Sequence, residues 1–298
     1  MPDPSKERRD DFLAAIRERF RSVREAIVRW VGEEDIFGLR TDTNTPATAA
    51  DSPDDAPDIF RFQTDPAKVG AFLAWLGDRV QRDVLEPADR DAIRNGEHWT
   101  ADLLRPAYVQ AWQQGRSRLR TAGVSVGPVE DAEDIFQLPV AERDLRRIYT
   151  RTYENLQSVT ADTAEPVRET LTEGLEKGWN PRKTARELDE TVESLQRTRA
   201  ETLARTETVS AYTEGTISRY KRAGVDTVQH GEWIDSDDSR VCPVCSSLDG
   251  REIPLATIDS ETFTFSPDDD EPDSLAGTYG LKPPIHPGGR CVLAPIVD

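Results

Sequence analysis

The sequence predicts a mainly α protein: an elongated helical body followed by a small, loop-rich α+β lobe closed by a Cys/His cluster. Three observations predict it. Apolar residues recur at three- and four-residue steps in a series of segments between residue 5 and about residue 224, separated by a linker at 41–58 and a break at 123–139. The periodicity fades after Gly224, where short β-like stretches and a long polar loop follow. All three cysteines, Cys242, Cys245 and Cys291, lie in this last part, with His286. The expected division is a basic amphipathic helix or arm at 1–40, an acidic linker at 41–64, a helical body at 65–224 and a Cys/His lobe at 225–298.

Residues 5–31 read as one helix, with Phe12, Ile16, Phe20, Val23, Ile27 and Trp30 on its apolar face. The other face is rich in arginine. Arg17, Arg21 and Arg24 are candidates for docking on an acidic partner or DNA; a solvated face laced with Arg–Glu pairs is the plainer alternative. Residues 41–58 are Thr, Asp, Ala and Pro without an apolar period, which reads as a solvated linker. Asp65-Pro66 opens a helix as cap and first residue, and Val69, Phe72, Leu73, Leu76, Val80 and Val84 carry it to a stop at Pro87. Another helix is expected from Trp99 to Leu119, with Leu103, Tyr108 and Trp112 inward and His98 as a surface or capping residue at its edge. Gly123 to Pro139 reads as a break. Helical pattern resumes from Ala141 and passes Pro166 to a stop at Gly178. Asn180-Pro181 restarts it, Ser194 is expected to cap the next helix, and that helix ends at Gly224. Val225–Ile234 and Arg251–Leu255 read as short strands, and 256–282 as mostly loop. There is no solenoid-type repeat.

The formal net charge is −18, and 38 basic residues face 56 acidic ones. Only Lys6, Lys68, Lys177, Lys183, Lys221 and Lys282 are lysines. Acid excess with few lysines fits a protein kept soluble in concentrated salt, so a halophilic source is expected; an ordinary acidic protein is the alternative. Such a field opposes binding of bare nucleic acid through the general surface. No apolar run reaches the length of a membrane span, and the N-terminal stretch lacks the apolar core of a signal peptide, so no membrane partner and a cytoplasmic site of synthesis are expected.

Cys242-Pro243-Val244-Cys245 can turn two thiolates toward one point, and His286 with Cys291 can complete a tetrahedral Cys3His set for a structural zinc ion. A redox pair, a disulfide or independent thiols are the other readings of the same residues. Closing a loop of about forty residues with a metal would stabilise a segment that has little apolar material of its own. A catalytic zinc is disfavoured, because the sequence has no His-Glu-x-x-His and no spare ligand. Enzymatic readings, a metal-dependent hydrolase or a transferase, find no convincing set of residues. Asp235, Asp237 and Asp238 cluster, but in a stretch that reads as a turn and lacks the Gly and final Glu of a calcium loop. A zinc-binding regulator of nucleic acid is disfavoured by the few basic residues of the lobe. The protein is therefore not expected to be an enzyme.

In chain order, Gly178-Trp179-Asn180-Pro181, Ala185-Arg186-Glu187-Leu188, Ala204-Arg205-Thr206-Glu207-Thr208, Tyr220 and Gly224 lead to Trp233, Asp238-Ser239-Arg240-Val241-Cys242-Pro243-Val244-Cys245, Leu248-Asp249-Gly250 and His286-Pro287-Gly288-Gly289-Arg290-Cys291. This series resembles the tailed-phage minor head proteins, the Mu F-like or head morphogenesis family, over roughly residues 145–297. With the acidic composition, the resemblance implies a haloarchaeal tailed virus. It also implies a structural protein of few copies in the virion head, at the portal vertex, with the portal or major capsid protein as partner and a role in head assembly and in DNA packaging or delivery, where viral DNA itself is a further contact. Arg205, Glu207, Trp233, Asp249, Gly250, Pro287 and Arg290 are then structural motif residues. Family members often end His-Pro-x-Cys-Arg-Cys, and Gly289 stands where the first of those cysteines would be, so in a metal site His286 has to take its place or water fills the gap.

Overall fold

The computed structural model describes residues 5–39, 64–224 and 226–297. The expected linker lies outside them, apart from Thr64, as does Val225 at the head of the first expected strand. The helices are α1 (Lys6–Ile27), α2 (Asp65–Val80), α3 (Arg90–Asn95), α4 (Thr100–Thr121), α5 (Ala132–Phe136), α6 (Pro139–Ala161), α7 (Ala164–Glu176), α8 (Pro181–Leu195), α9 (Glu201–Ala223) and α10 (Pro243–Ser246). The strands are β1 (His230–Ile234), β2 (Glu252–Pro254), β3 (Thr262–Phe265), β4 (Gly277–Gly280) and β5 (Val292–Ile296). The mainly α class with a small C-terminal α+β lobe is therefore what the structure has. No helix among the described residues is long and apolar enough to cross a membrane.

The chain forms two compact units, and they divide it differently from the expected partition. One unit combines Leu13–Pro87 with Glu154–Glu201. Here the apolar stripe of α1 is core: Ile16, Val23 and Ile27 are fully buried, and a π-helical turn (Val28–Glu33) extends the helix to bury Trp30 and Val31. This helix is built into a core and is not a detachable arm. The π turn packs on α8, where Gly32 is needed because a Cβ there would lie 3.0 Å from that of Ala185. α2 packs on α7, and α7 on α8. Arg24 grips Asp189 with two bonds of 2.6 and 2.8 Å and reaches Glu193 at 3.0 Å. The stop after Glu176 is the expected one: Gly178 is left-handed and Trp179 N–H returns to the Gly174 carbonyl at 2.9 Å.

The other unit combines Met1–Phe12, Ala88–Tyr153 and Thr202–Asp298. At its centre is α9, whose residues from Glu207 to Tyr220 are all buried. A helix wrapped on every side needs small residues where its neighbours come close. Gly215 supplies the closest approach to α4: a Cβ on it would stand 2.5 Å from the Tyr108 carbonyl oxygen. The two buried carboxylates of α9 are matched from α6, and one of them also from Lys282. Glu207 accepts from Arg151 Nη2 at 2.9 Å and from Thr152 Oγ1 at 2.7 Å. Glu214 is paired with Arg147 and Lys282, each at 2.7 Å. Asp144 of α6 accepts from Tyr108 and Ser218. β1 is the centre of an antiparallel sheet ordered β2-β1-β5, with Trp233 opposite Leu293, while β3 and β4 form a separate hairpin. The sheet has no core of its own. Trp233, Ile253, Leu293 and Leu248 share one cluster with Leu119 of α4 and with Ile217 and Tyr220 of α9.

Several local expectations change. Thr64, not Asp65, is the cap of α2. His98 is buried, bonded to Thr100 Oγ1 at 2.9 Å and packed edge-on against Tyr153, while Trp99 takes the cap position of α4. Leu104 rather than Leu103 faces inward from α4. The expected break at Gly123–Pro139 contains α5, capped by Asp131. Ser194 caps nothing, because α8 runs through a π-helical turn (Gln196–Ala200) straight into α9. The expected loop at 256–282 contains the β3–β4 hairpin.

Gly215→Ala tests the α4–α9 crossing. Alanine favours an isolated helix by about 1 kcal/mol. A Cβ against a backbone oxygen forces the two helices apart and costs roughly 1–3 kcal/mol. We expect net destabilisation in urea unfolding; a more stable variant would show that the helices do not meet there.

Candidate metal centre

The lobe brings three donors to one point. Cys242 is the cap of α10, and its Sγ accepts from Cys245 N–H at 3.4 Å. Pro243 presets the first helical φ, and the single turn puts both thiols on one side. The opposite half comes from a Pro-Gly turn over His286–Gly289. Gly289 N–H bonds to the His286 carbonyl at 3.1 Å, and Gly288 takes the left-handed conformation (φ +77°) that the third turn position demands. His286 Nε2 then stands 3.2 Å from each of the Cys242 and Cys245 sulfurs. Its Nδ1 faces the Pro287 carbonyl at 3.0 Å. A carbonyl only accepts, so Nδ1 carries a proton, and in the neutral ring Nε2 then presents its lone pair to the sulfurs. That is the tautomer and bracing a metal-bound imidazole needs.

The donor set fits a metal ion. The three ligand atoms lie within 4.8 Å of one another. A tetrahedral zinc ion, with bonds of about 2.3 Å to sulfur and about 2.0 Å to nitrogen, would separate S and N by about 3.5 Å. An outward shift of a few tenths of an ångström admits it. None of the three cysteines is in a disulfide. Cys291 is buried beside Cys245 but lies outside the mutually close trio. The hydrogen bond with Cys291, together with burial, pushes the Cys245 thiol well above its ordinary range, while the same bond holds Cys291 below it. Buried thiols this close do not ionise together without a cation between them.

The other motif residues hold this centre in place. Trp233 is fully buried; its backbone N–H donates to the Arg251 carbonyl at 2.8 Å and its carbonyl accepts from Gly250 N–H at 2.8 Å. Gly250 is left-handed (φ +73°), and Asp249 caps the Asp235 N–H at 3.0 Å. Arg290 clamps both carboxylate oxygens of Asp238, Nη2 to Oδ1 at 2.6 Å, and this holds Asp238 far below the usual carboxylate range. The clustered aspartates are thus engaged as turn caps and as an ion-pair partner: Asp235 accepts from Asp237 N–H, and Asp238 from Arg240 N–H. Pro287 shapes the turn. Within Arg205-Thr206-Glu207 the roles separate. Glu207 faces α6, Arg205 is half-buried, and Thr206 Oγ1 accepts from Gly288 N–H at 2.9 Å. Sequence reasoning missed Thr206, whose signal was its place inside the motif. At Gly289 a Cβ would stand 3.0 Å from Pro284 Cβ and 3.2 Å from the His286 oxygen, so this turn is fitted to glycine. Arg17, Arg21 and Arg24 line one groove of about 380 Å³ with Arg197, Glu193 and Gln196. Arg24 is engaged with Asp189 and Glu193, whereas Arg17 and Arg21 are exposed.

The fold and site define a mainly α protein whose terminal lobe is pinned to a buried helix beside a Cys/His centre. Residues 165–294, from α7 to β5, match the family described as Phage Mu protein F like protein. The match supports a Mu F-like assignment for that stretch. No curated protein and no solved structure shows a significant match.

Metal titration tests the centre. Cobalt(II) should bind one ion per chain with thiolate charge-transfer absorption, and zinc should displace it. Cys242→Ser and His286→Ala should each weaken binding by tenfold or more, a loss of about 1.4 kcal/mol. Zinc at a hundred times its Kd should stabilise the fold by about 2.7 kcal/mol. Absence of the absorption, with no thermal shift on zinc addition, would leave the trio without a metal.

Proposed function

We propose that the protein is a structural minor head protein of a tailed virus that acts in head morphogenesis. The observation that carries this reading is the family match over 165–294, together with the way its motif residues converge on one construction. Thr206, Trp233, Asp249, Gly250, Pro287 and Arg290 each bond or shape the same lobe. Such residues make a folded module, and none of them is left over for a substrate. The metal is structural zinc, and Cys291, the buried thiol beside Cys245, is its fourth ligand. The protein works in the virion head at the portal vertex, in few copies, on the portal or the major capsid protein, and takes part in DNA packaging or delivery. It is not an enzyme.

Docking runs through the solvent face of α1. Arg17 and Arg21 are exposed there, beside Arg197, in a chain whose formal net charge is −18. A local cluster of arginines offers an acidic capsid surface a complementary patch. Because the apolar face of the same helix is core, deletion of the helix would unfold the protein, and charge reversal is the cleaner test. Arg17→Glu with Arg21→Glu should leave thermal stability within about 0.5 kcal/mol. It should reduce incorporation into purified particles by tenfold or more. Incorporation equal to wild type would place the docking surface elsewhere.

A further inference from the structure

In the unit built around α9, a groove of about 730 Å³ runs between the 125–130 loop, α5 and the end of α9. Val126, Pro128, Leu138 and Ala223 give it apolar walls, and Arg219 and Arg222 line it. Arg219 is only 5 % exposed. Its stem lies on Gly115, with Cβ and Cγ at 3.3 and 3.4 Å from where a Cβ would be, and its guanidinium sits 5.8 Å over the Trp112 ring. Among the described residues it has no hydrogen-bond or ion-pair partner, and its Nε is buried without an acceptor. Burial pushes its pKa down.

The neighbouring charges are committed. Glu130 is held by Trp112 Nε1 at 2.5 Å and by Arg222 Nε at 3.2 Å. Arg116 is spent on the Gly127 carbonyl, at 2.7 and 3.1 Å. A buried guanidinium left unpaired is costly, and an anion entering the groove would relieve that cost. Between the lining residues Pro128 and Glu130 in the chain, Val129 is 68 % exposed, the most exposed large apolar residue described.

We propose that this groove docks a partner polypeptide through a single carboxylate, of an Asp, a Glu or a chain terminus, flanked by apolar side chains, with Arg219 as the anchor. The planar guanidinium fork matches a carboxylate with two parallel bonds. Val126, Pro128, Leu138 and Ala223 suit the flanking side chains. One uncommitted cation suits one negative charge. A nucleic-acid backbone would bring successive phosphates past Glu130 and Asp134, which repel them, and would gain little from apolar walls.

The test uses the full chain and two probes, an acetyl-Leu-Glu-Leu-amide peptide and its Gln counterpart. The Glu peptide should shift the Arg219 side-chain Nε–H resonance saturably and raise Tm. The Gln peptide should bind about tenfold more weakly or worse, for want of the charge-assisted bonds. Arg219→Met should abolish the response to the Glu peptide while its own Tm equals or exceeds that of wild type, since a purely structural arginine would lower Tm when lost. Equal responses to the two peptides on wild type would overturn the proposal, and this comparison stands even if the variant does not fold. Saturation by inorganic phosphate or a short DNA duplex, with no response to the Glu peptide, would overturn it in favour of a phosphate site.

Discussion

The constraint on which the rest depends is the complete burial of α9 from Glu207 to Tyr220. A helix enclosed on all sides needs partners for the carboxylates it buries. Glu207 finds Arg151 and Thr152, and Glu214 finds Arg147 and Lys282. Breaking one buried pair commonly costs about 3–5 kcal/mol, although an apolar replacement of the whole pair can be neutral. The pairs therefore matter for register more than for net stability. They fix which turn of α9 faces α6 and which faces the lobe, and Gly215 fixes how closely α4 can approach.

The terminal lobe inherits its position from that helix. Tyr220 and Arg118 both donate to the Leu293 carbonyl of β5, Thr206 holds the Pro-Gly turn, and Lys282 reaches Glu214. Its apolar side chains pack on α4 and α9 rather than on one another alone. The Cys/His centre lies where the chain is mostly turns, against the edge of the same apolar cluster. A metal there would fasten the CPVC turn to the His-Pro-Gly-Gly turn, two segments that the sheet by itself does not bind together.

Much of this was legible in the sequence. The α1 stripe, the Pro87 and Gly178 stops, the Asn180 cap and the Cys/His convergence follow from periodicity and turn chemistry that act locally. What was not legible depended on distance. His98 looked exposed because its partner Tyr153 is far along the chain. The strand character of β5 and the β3–β4 hairpin was hidden by Pro, Gly and acidic residues whose effect is offset by cross-strand pairing. Ser194 carried the right side chain for a cap, but the π turn kept the helix continuous. α9 itself gave a weak stripe because no face of it is exposed, and a helix buried all round has no amphipathic period to read. Arg219 gave no signal, since an arginine near a helix end ordinarily reads as solvated.

The role proposed for this fold, a component of a virus head, makes a direct demand on the particle. The most direct measurement is quantitative mass spectrometry of purified particles of the virus that encodes it, with the portal protein as internal standard. A minor head protein should appear there at low copy number, in fixed ratio to the portal. Absence from particles at every stage of assembly would contradict that role.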